Sequence, residues 1–288
     1  MPRDAVDFTM MSTFCLCRRK YHYRMERGLV LPTPATAPSF GGAIHKGLDR
    51  LYTSKMEDVT GAVEIFKNGF VEQLDVDDKR THVLGEWILK NYQEVYKEQP
   101  LTALVVEKEF ELLMPGTQRK FIGRIDKIVD WDGTLWIMDH KTTSQLGATY
   151  GKSVEPNAQY TGYVWAAREM GYNVVGVIVD AILVAKGLLQ AASRARLTPL
   201  ARFDAYRSQK QLEEWVKERE GILKDLTYSE ENGHWPMDGT FNGMCTYYGE
   251  CGYRRLCIEE AGLRDRVIGM DYKVDHWDPR SKKEIGGD

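Results

Sequence analysis

The sequence predicts an α/β chain in which a mixed sheet is flanked by helices and preceded by a long helical segment. Three observations carry this. Helical periodicity dominates residues 43–99; strand-like runs follow at 102–113, 119–130 and 134–141; and a helix around 157–172 then leads into the continuous apolar run VVGVIVDAILVA at 174–185. With 288 residues, 43% of them hydrophobic, the chain can bury a substantial core as one elaborated domain over 1–288. Within it, 43–99 is the helical region and 100–225 the catalytic core, while 14–30 and 240–260 form a cysteine-bearing subdomain.

The chain opens with FCLCRRKYHYRMERGL at 14–29, where basic and aromatic side chains interleave around two cysteines. The proline-rich stretch LPTPATAPSF at 31–40 is expected to be an extended connector. In SFGGAIHKGLDRLY, 39–52, Gly41 and Gly42 are expected to start a helix that carries His45 in its first turn. The first strand-like run contains VVEKEFEL, which puts Glu107 and Glu109 on one face. Alternating Glu and Lys on an exposed strand accounts for them, and a contribution to a second metal site is the sharper alternative.

Asp126 lies inside FIGRIDKIVD, and WDG at 131–133 supplies a polar turn that folds the next strand back beside it. In LWIMDHK, alternation places Asp139 and Lys141 on one face and His140 on the other. A hairpin then brings two acids and a lysine into one small volume. A strand near 200–207 and a charged amphipathic helix over about 208–227 lead to CTYYGECGYRRLC, and the charged tail beyond 258 has no assignable role. There is no internal repeat, no low-complexity tract, and no apolar run near the roughly 20 residues of a membrane span.

Two carboxylates a few ångströms apart repel unless a positive charge sits between them, and Mg2+ or Mn2+ accepts such hard oxygen ligands. Bound there, the ion would polarise a phosphodiester and lower the pKa of a water. The Lys141 ammonium on the same face would orient that water or offset developing charge, and the backbone carbonyl of His140 would be a further ligand. On spacing alone, Asp and Lys at a strand end are equally ordinary solvated residues. Five cysteines without a signal peptide, three of them close together near the C-terminus, fit metal ligation better than a secreted disulfide framework. Four thiolates would hold either tetrahedral zinc or an iron-sulfur cluster.

An acid followed about a hairpin later by D-x-K resembles the active-site signature of the PD-(D/E)XK nuclease superfamily. Three further segments resemble its RecB-type exonuclease branch, relatives of which include AddB-like nucleases and those of CRISPR adaptation. Gly41 and His45 fit a G-x-x-x-H-x-x-L pattern, Gln159 and Tyr163 fit a Q-x-x-x-Y pattern, and the N-terminal cysteine segment is similar to C-P-R-K-F-Y-x-R, with Arg18 in the proline's place. The resemblance implies an α-β-β-β-α-β restriction-endonuclease-like core with an N-terminal helical insertion. It implies that His45, Asp126, Asp139 and the His140 carbonyl ligate Mg2+ or Mn2+, that Lys141 positions the nucleophilic water, and that Gln159 and Tyr163 hold substrate. It also implies a [4Fe-4S] cluster on Cys17, Cys245, Cys251 and Cys257, joining the N- and C-terminal segments. Cys245 precedes Cys251 by five intervening residues where the family has two. Zinc is the alternative occupant, and Cys15 is the spare thiol, exchangeable with Cys17.

The implied function is metal-dependent DNA exonuclease activity on single-stranded or end-bearing DNA, in recombination, repair or phage replication. Endonuclease action is the variant, and a non-catalytic DNA-binding or scaffold subunit with a structural cluster is the rival. A net charge of −3 is not that of a protein that coats DNA indiscriminately. RRKYHYR at 18–24 and YRR at 253–255 supply local positive charge, and Tyr21 and Tyr23 are expected to stack on unpaired bases. No G-x-x-x-x-G-K-[ST] loop is present, so any unwinding would come from a helicase or recombination partner. A cytoplasmic location in a bacterial, archaeal or phage-infected cell is expected, not secretion.

Overall fold

The computed structural model describes residues 4–32, 36–72, 79–99, 101–195, 199–247 and 249–280. Strand β1 (Ala5–Val6) leads into α1 (Phe8–Leu16), whose first turn is closed by Asp7, a carboxylate accepting from the Met10 amide at 2.7 Å. Next come α2 (Arg18–Tyr21), running on into a π-helical turn at His22–Glu26, and β2 (Leu29–Val30). Three helices follow, α3 (Thr36–Thr53), α4 (Val59–Gly69) and α5 (His82–Tyr96). The meander is β3 (Leu101–Leu113), β4 (Lys120–Trp131) and β5 (Thr134–Thr143). Helices α6 (Ala148–Val154) and α7 (Ala158–Glu169) cross over to β6 (Gly176–Leu183), which runs parallel to β5. After α8 (Leu188–Ala195), β7 (Leu200–Tyr206) returns antiparallel to β6, and α9 (Gln209–Asn232) starts at a reciprocal Ser208–Gln211 capping box. The chain closes with α10 (Arg254–Ile258), α11 (Arg264–Asp271) and β8 (Lys273–Val274).

The result is a mixed α/β fold, a sheet with helices on both faces, as the sequence predicts. Successive residues of the central strands alternate between two cores: Ile137, Val177 and Val179 pack with α1, α7 and α9, while Met138, Ile178 and Ile182 pack with α3, α4 and α5. Because β6 is covered on both faces it is apolar almost throughout, which is why it has no visible alternation in the sequence. The buried Arg119–Glu230 ion pair ties the start of β4 to the end of α9. A third, small core of Tyr23, Leu29, Tyr253, Leu256 and Val267 holds the two ends of the chain together.

Two expectations need correction. The stretch 31–40 is not an extended connector throughout, since α3 begins at Thr36; residues 33–35 lie outside the described residues. His45 therefore sits in the third turn of its helix, not the first. The described part of the tail, 259–280, packs back on the chain's start: β8 pairs antiparallel with β2, and the Trp277 indole donates to Asp7 at 2.7 Å.

The β4–β5 hairpin turns on Asp132 and Gly133, both with positive φ (55° and 80°), between the paired residues Trp131 and Thr134. This is the two-residue turn whose twist matches that of the strands, and Asp-Gly is its favoured pair. A side chain at Gly133 would meet no neighbouring atom, so only backbone strain opposes one. Gly133→Val should therefore lower stability by roughly 1–2 kcal/mol, read as a shifted urea midpoint with unchanged slope.

Candidate active site

The site is made by a break in strand pairing. The ladder between β4 and β5 runs from Trp131↔Thr134 to Lys127↔Met138 and stops there, so the next opposed residues, Asp126 and Asp139, stand where the strands part. The amide of His140, freed from the ladder, donates to Asp126 Oδ2 at 3.2 Å. Alternation along β4 also breaks at this point: Ile125 and Ile128 both face the same core although they are three residues apart. Across the other edge of β4, between the paired positions Val106↔Lys127 and Lys108↔Ile125, Glu107 has φ of +56°. A glutamate in the left-handed region within a strand is a strained backbone position, and it coincides with the break.

Helix α3 lies along this seam and presents a stripe at four-residue spacing. Gly41 leaves room for Thr142, whose Oγ1 would stand 3.1 Å from an added Cβ. One turn on, His45 Nδ1 is 3.3 Å from Asp126 Oδ2; one turn further, Asp49 Oδ1 accepts from Lys127 Nζ at 2.6 Å. Gly41 is thus a point of close approach inside the helix rather than a flexible start, and it sets the depth at which the imidazole meets the carboxylate.

On β5, Lys141 Nζ lies 2.9 Å from Asp139 Oδ2, and Asp139 is buried. Burial favours the neutral carboxyl and, with Asp126 nearby, holds Asp139 above the usual carboxylate range despite the pull of Lys141. For Asp126 burial acts the same way, but His45, Lys141 and Lys127 outweigh it and keep its carboxyl well below that range. Burial opposes charge on His45 and Lys141 too; Asp126 raises the imidazole above its ordinary value, and Asp139 raises the ammonium well above its own. The two acids therefore differ in protonation tendency, which is what like charges in a shared volume must do.

Gln159 and Tyr163 stand one turn apart on α7, and the Gln159 amide donates to the Tyr163 phenol at 2.9 Å. The α7 tyrosines lie in the field of the site: burial pushes Tyr160 and Tyr163 up, with Asp139 adding to the rise and the Lys141 ammonium opposing it. Glu107 pairs with Arg124 at 2.8 Å, and a cavity of about 370 Å3 lined by Glu107, Lys108, Glu109 and Arg124 opens beside them. Burial raises the Glu107 carboxyl.

Behind β5 is a buried polar network that the sequence reading missed. Asp180 on β6 accepts two hydrogen bonds from Arg202 on β7, at 2.5 and 2.8 Å, and one from the Tyr92 hydroxyl. Tyr92 also meets His140 Nε2 at 3.1 Å and the Tyr52 hydroxyl at 2.7 Å. Burial and the nearby cations Lys127 and His45 keep His140 far below the ordinary histidine range, so its ring is neutral. The available signal was a single acid inside the apolar run VIVDAILV: a lone buried carboxylate must have a partner.

Of the four cysteines expected as cluster ligands, two stand near one another around a glycine. Cys17 and Cys245 flank Gly239, where an added Cβ would lie 3.6 Å from the Cys17 sulfur and 3.3 Å from that of Cys245. Burial pushes the Cys257 thiol up to about 11, with Cys17, Cys251 and Cys245 adding to the rise against Arg19. Cys15 instead lies in the field of Arg219 and Asp225 on α9, whereas Cys17 acts on Cys245 and Cys257. The tyrosines placed here for stacking are not at the surface. Tyr21 is fully buried, edge-on to Phe14 and stacked on Trp235, and Tyr23 packs against Tyr253. Neither ring offers a face to a base, because amphipathic spacing in this segment serves its own core.

Among the described residues no set of three or more His, Cys, Asp and Glu side chains already stands at metal-holding distances. Each carboxylate is instead engaged by a side-chain cation, Asp126 by His45 and Asp139 by Lys141. The donor chemistry nonetheless suits a hard divalent ion: two carboxylates and an imidazole meet at one seam, and Asp139 Oδ2 is a buried acceptor with no hydrogen bond of good geometry. A mixed sheet flanked by helices, with opposed acids and a lysine at a splayed hairpin, defines a class of phosphodiester hydrolases. The chain belongs to the PD-(D/E)XK nuclease superfamily, whose description residues 8–258 match. No curated protein matches the sequence. Among solved structures, the crystal structure of SSO0001 aligns over 78% of this chain and 77% of its own, at 13% identity and a TM-score of 0.32, too loose a likeness to carry function. No helix among the described residues is long and apolar enough to cross a membrane.

In the metal-free protein the His45 imidazole should titrate above 6.5 by NMR. In Asp126→Asn it should fall below that value, because burial and Lys141, which both oppose its charge, are then left without their strongest counterweight. The sign for stability follows. The raised histidine contributes fully below pH 6.5 and loses its contribution as pH rises through the folded value, so the variant should flatten that slope.

Proposed function

We propose that the protein is a metal-dependent deoxyribonuclease, with exonuclease action on single-stranded or end-bearing DNA as its preferred form. The observation that carries the reading is the meeting of His45, Asp126, Asp139 and Lys141 at the seam where β4 and β5 part. His45, Asp126, Asp139 and the carbonyl of His140 would hold Mg2+ or Mn2+, which when bound supplies Lewis-acid polarisation of the phosphate and a water of lowered pKa.

The chain's own groups do the rest. Lys141 reaches the site from the same face as Asp139 and holds the attacking water by a hydrogen bond, while its charge offsets that gathering on the phosphoryl oxygens. The water gives up one proton to solvent as its oxygen forms a bond to phosphorus, the P–O bond to the leaving sugar oxygen breaks, and that oxygen takes up a proton from solvent. Gln159 and Tyr163 bind substrate from α7, their mutual hydrogen bond fixing the amide's orientation. Cys17, Cys245, Cys251 and Cys257 would hold a [4Fe-4S] cluster, with zinc as the alternative occupant, as a structural centre of the terminal subdomain, a reading that rests on the sequence pattern and on the approach of Cys17 and Cys245 around Gly239. Recombination, repair or phage replication, with a helicase partner to supply unpaired strands, is the setting that fits such an enzyme.

Asp139→Asn and Lys141→Ala should each cut cleavage by about 10²–10³-fold or more while leaving the circular dichroism spectrum unchanged, the scale expected for losing one preorganised group. The assay uses labelled single- and double-stranded DNA with Mn2+, Mg2+ or EDTA, beside the visible spectrum of anaerobically purified protein. Wild-type rates in either variant, or undiminished cleavage in EDTA, would refute the site. A colourless, iron-free protein would assign the cysteines to zinc.

A further inference from the structure

Lys127 is a buried charge that the hydrolytic scheme leaves unused. Its side chain has no exposure, its ammonium donates to Asp49 Oδ1 at 2.6 Å, and it lies 5.1 Å above the Tyr52 ring. Taking an ammonium out of water costs several kcal/mol, so a position like this persists only where its surroundings are strongly negative. They are. Asp49 comes from α3, one turn beyond His45; Glu107 comes from the strained position on β3; and Asp126 is the next residue on β4. Lys127 lies in the field of both Glu107 and Asp126, and Asp49 in turn acts on Glu107.

Asp49 and Glu107, gathered beside a centre that already has two acids and an imidazole and sharing Asp126 with it, bring enough oxygen ligands for a second divalent ion, and paired ions about 3.5–4 Å apart are a common arrangement for phosphodiester hydrolysis. In this chain each outer acid is already matched: Asp49 by Lys127 at 2.6 Å, and Glu107 by Arg124 at 2.8 Å. An incoming ion would have to expel an ammonium held by a carboxylate and an aromatic face, with no solvent on its far side to receive it.

We infer that the Lys127 ammonium occupies the place of a second divalent cation, so that the centre works with one metal ion per chain. The inference rests on the metal-dependent reading above, and it gives Lys127 a positioning role: it neutralises the outer side of Asp126 and holds Asp49, and with it α3, at the distance that sets His45. Fixed charge from the chain replaces a diffusible ion, so the site needs to capture only one.

The test is a Mn2+ titration of the whole chain without DNA, stripped of divalent ions at the seam with any cysteine-bound metal retained, followed by isothermal calorimetry and by the electron paramagnetic resonance signal of free Mn2+. Wild type and Lys127→Arg should bind one Mn2+ per chain at the seam. Lys127→Gln and Lys127→Met, the second being an apolar replacement suited to a buried stem, should bind two, and adding Asp49→Asn to either should return the count to one. Two ions in the wild type, or one ion in both wild type and a folded Lys127→Gln or Lys127→Met protein, would overturn the inference while leaving metal-dependent hydrolysis intact. No ion in the wild type would overturn both.

Discussion

The parting of β4 from β5 after a single regular hairpin is the constraint on which the site depends. Up to Lys127 and Met138 the two strands satisfy each other's backbone groups; one step further, Asp126 and Asp139 face across a gap. Had the ladder continued, the strand spacing of about 4.8 Å would have been filled by backbone hydrogen bonds, and the two carboxylates would have been neighbours on a flat sheet with no room between. The divergence converts a cross-strand pair into a cleft. It also explains why His45, on a helix packed against one face of the sheet, reaches Asp126 and lies in the field of Asp139, whose strand neighbours Ile137 and Val179 belong to the opposite core.

Holding such a gap open costs backbone pairing, and the compensation is electrostatic. The freed amide of His140 is taken by Asp126, the strained Glu107 is held by Arg124, and β5 is clamped from behind by Asp180, Tyr92 and Arg202. A buried ion pair such as Asp180–Arg202 is a poor source of stability, because desolvation consumes most of what the attraction returns. Its value is positional. It ties β6 to β7 and, through Tyr92, ties α5 to His140, between Asp139 and Lys141 on β5, so the Asp139 carboxylate is presented by a strand that cannot slide.

Much of this was legible because periodicity reports covering, and covering decides strands and helices. The meander, the Asp-Gly turn, the Gln159 helix and the buried strand all emerge near their expected limits, and the opposed faces of Asp139 and His140 follow from a period of two alone. What stayed hidden were departures from period. Glu107 and Glu109 look like one face of a regular strand, and nothing in VVEKEFEL announces a left-handed backbone at the first of them. Asp49 and Lys127 are 78 residues apart, so their pairing is a property of packing, not of pattern. Tyr21 and Tyr23 failed for a related reason: alternating aromatics beside arginines describe a nucleic-acid surface and an amphipathic core segment equally well, and burial decided for the core.

The terminal subdomain shows how far a thiol centre is needed to close the chain. From sequence, four thiolates drawn from both ends would be the element that ties residue 17 to residues 245–257. The protein bonds already do this. Arg18 meets Asp238 through its backbone amide at 3.0 Å and its guanidinium at 2.9 Å, Arg19 donates to the Trp235 carbonyl at 2.5 Å, and Asn242 donates to the Leu16 carbonyl at 2.8 Å. Arg280 reaches back to Asp4 and Glu111, and β8 completes a ribbon with β2. Closing a loop of this length costs only slightly more than closing a short one, because the entropy grows with the logarithm of length. A metal centre among these cysteines, as proposed, would therefore act on a junction that hydrogen bonds and a small apolar core have brought together, and its main effect would be the rigidity of that junction. The arginines of RRKYHYR are correspondingly committed: Arg18 and Arg19 hold the fold closed, so the basic character of this stretch is structural before it is available to any phosphate.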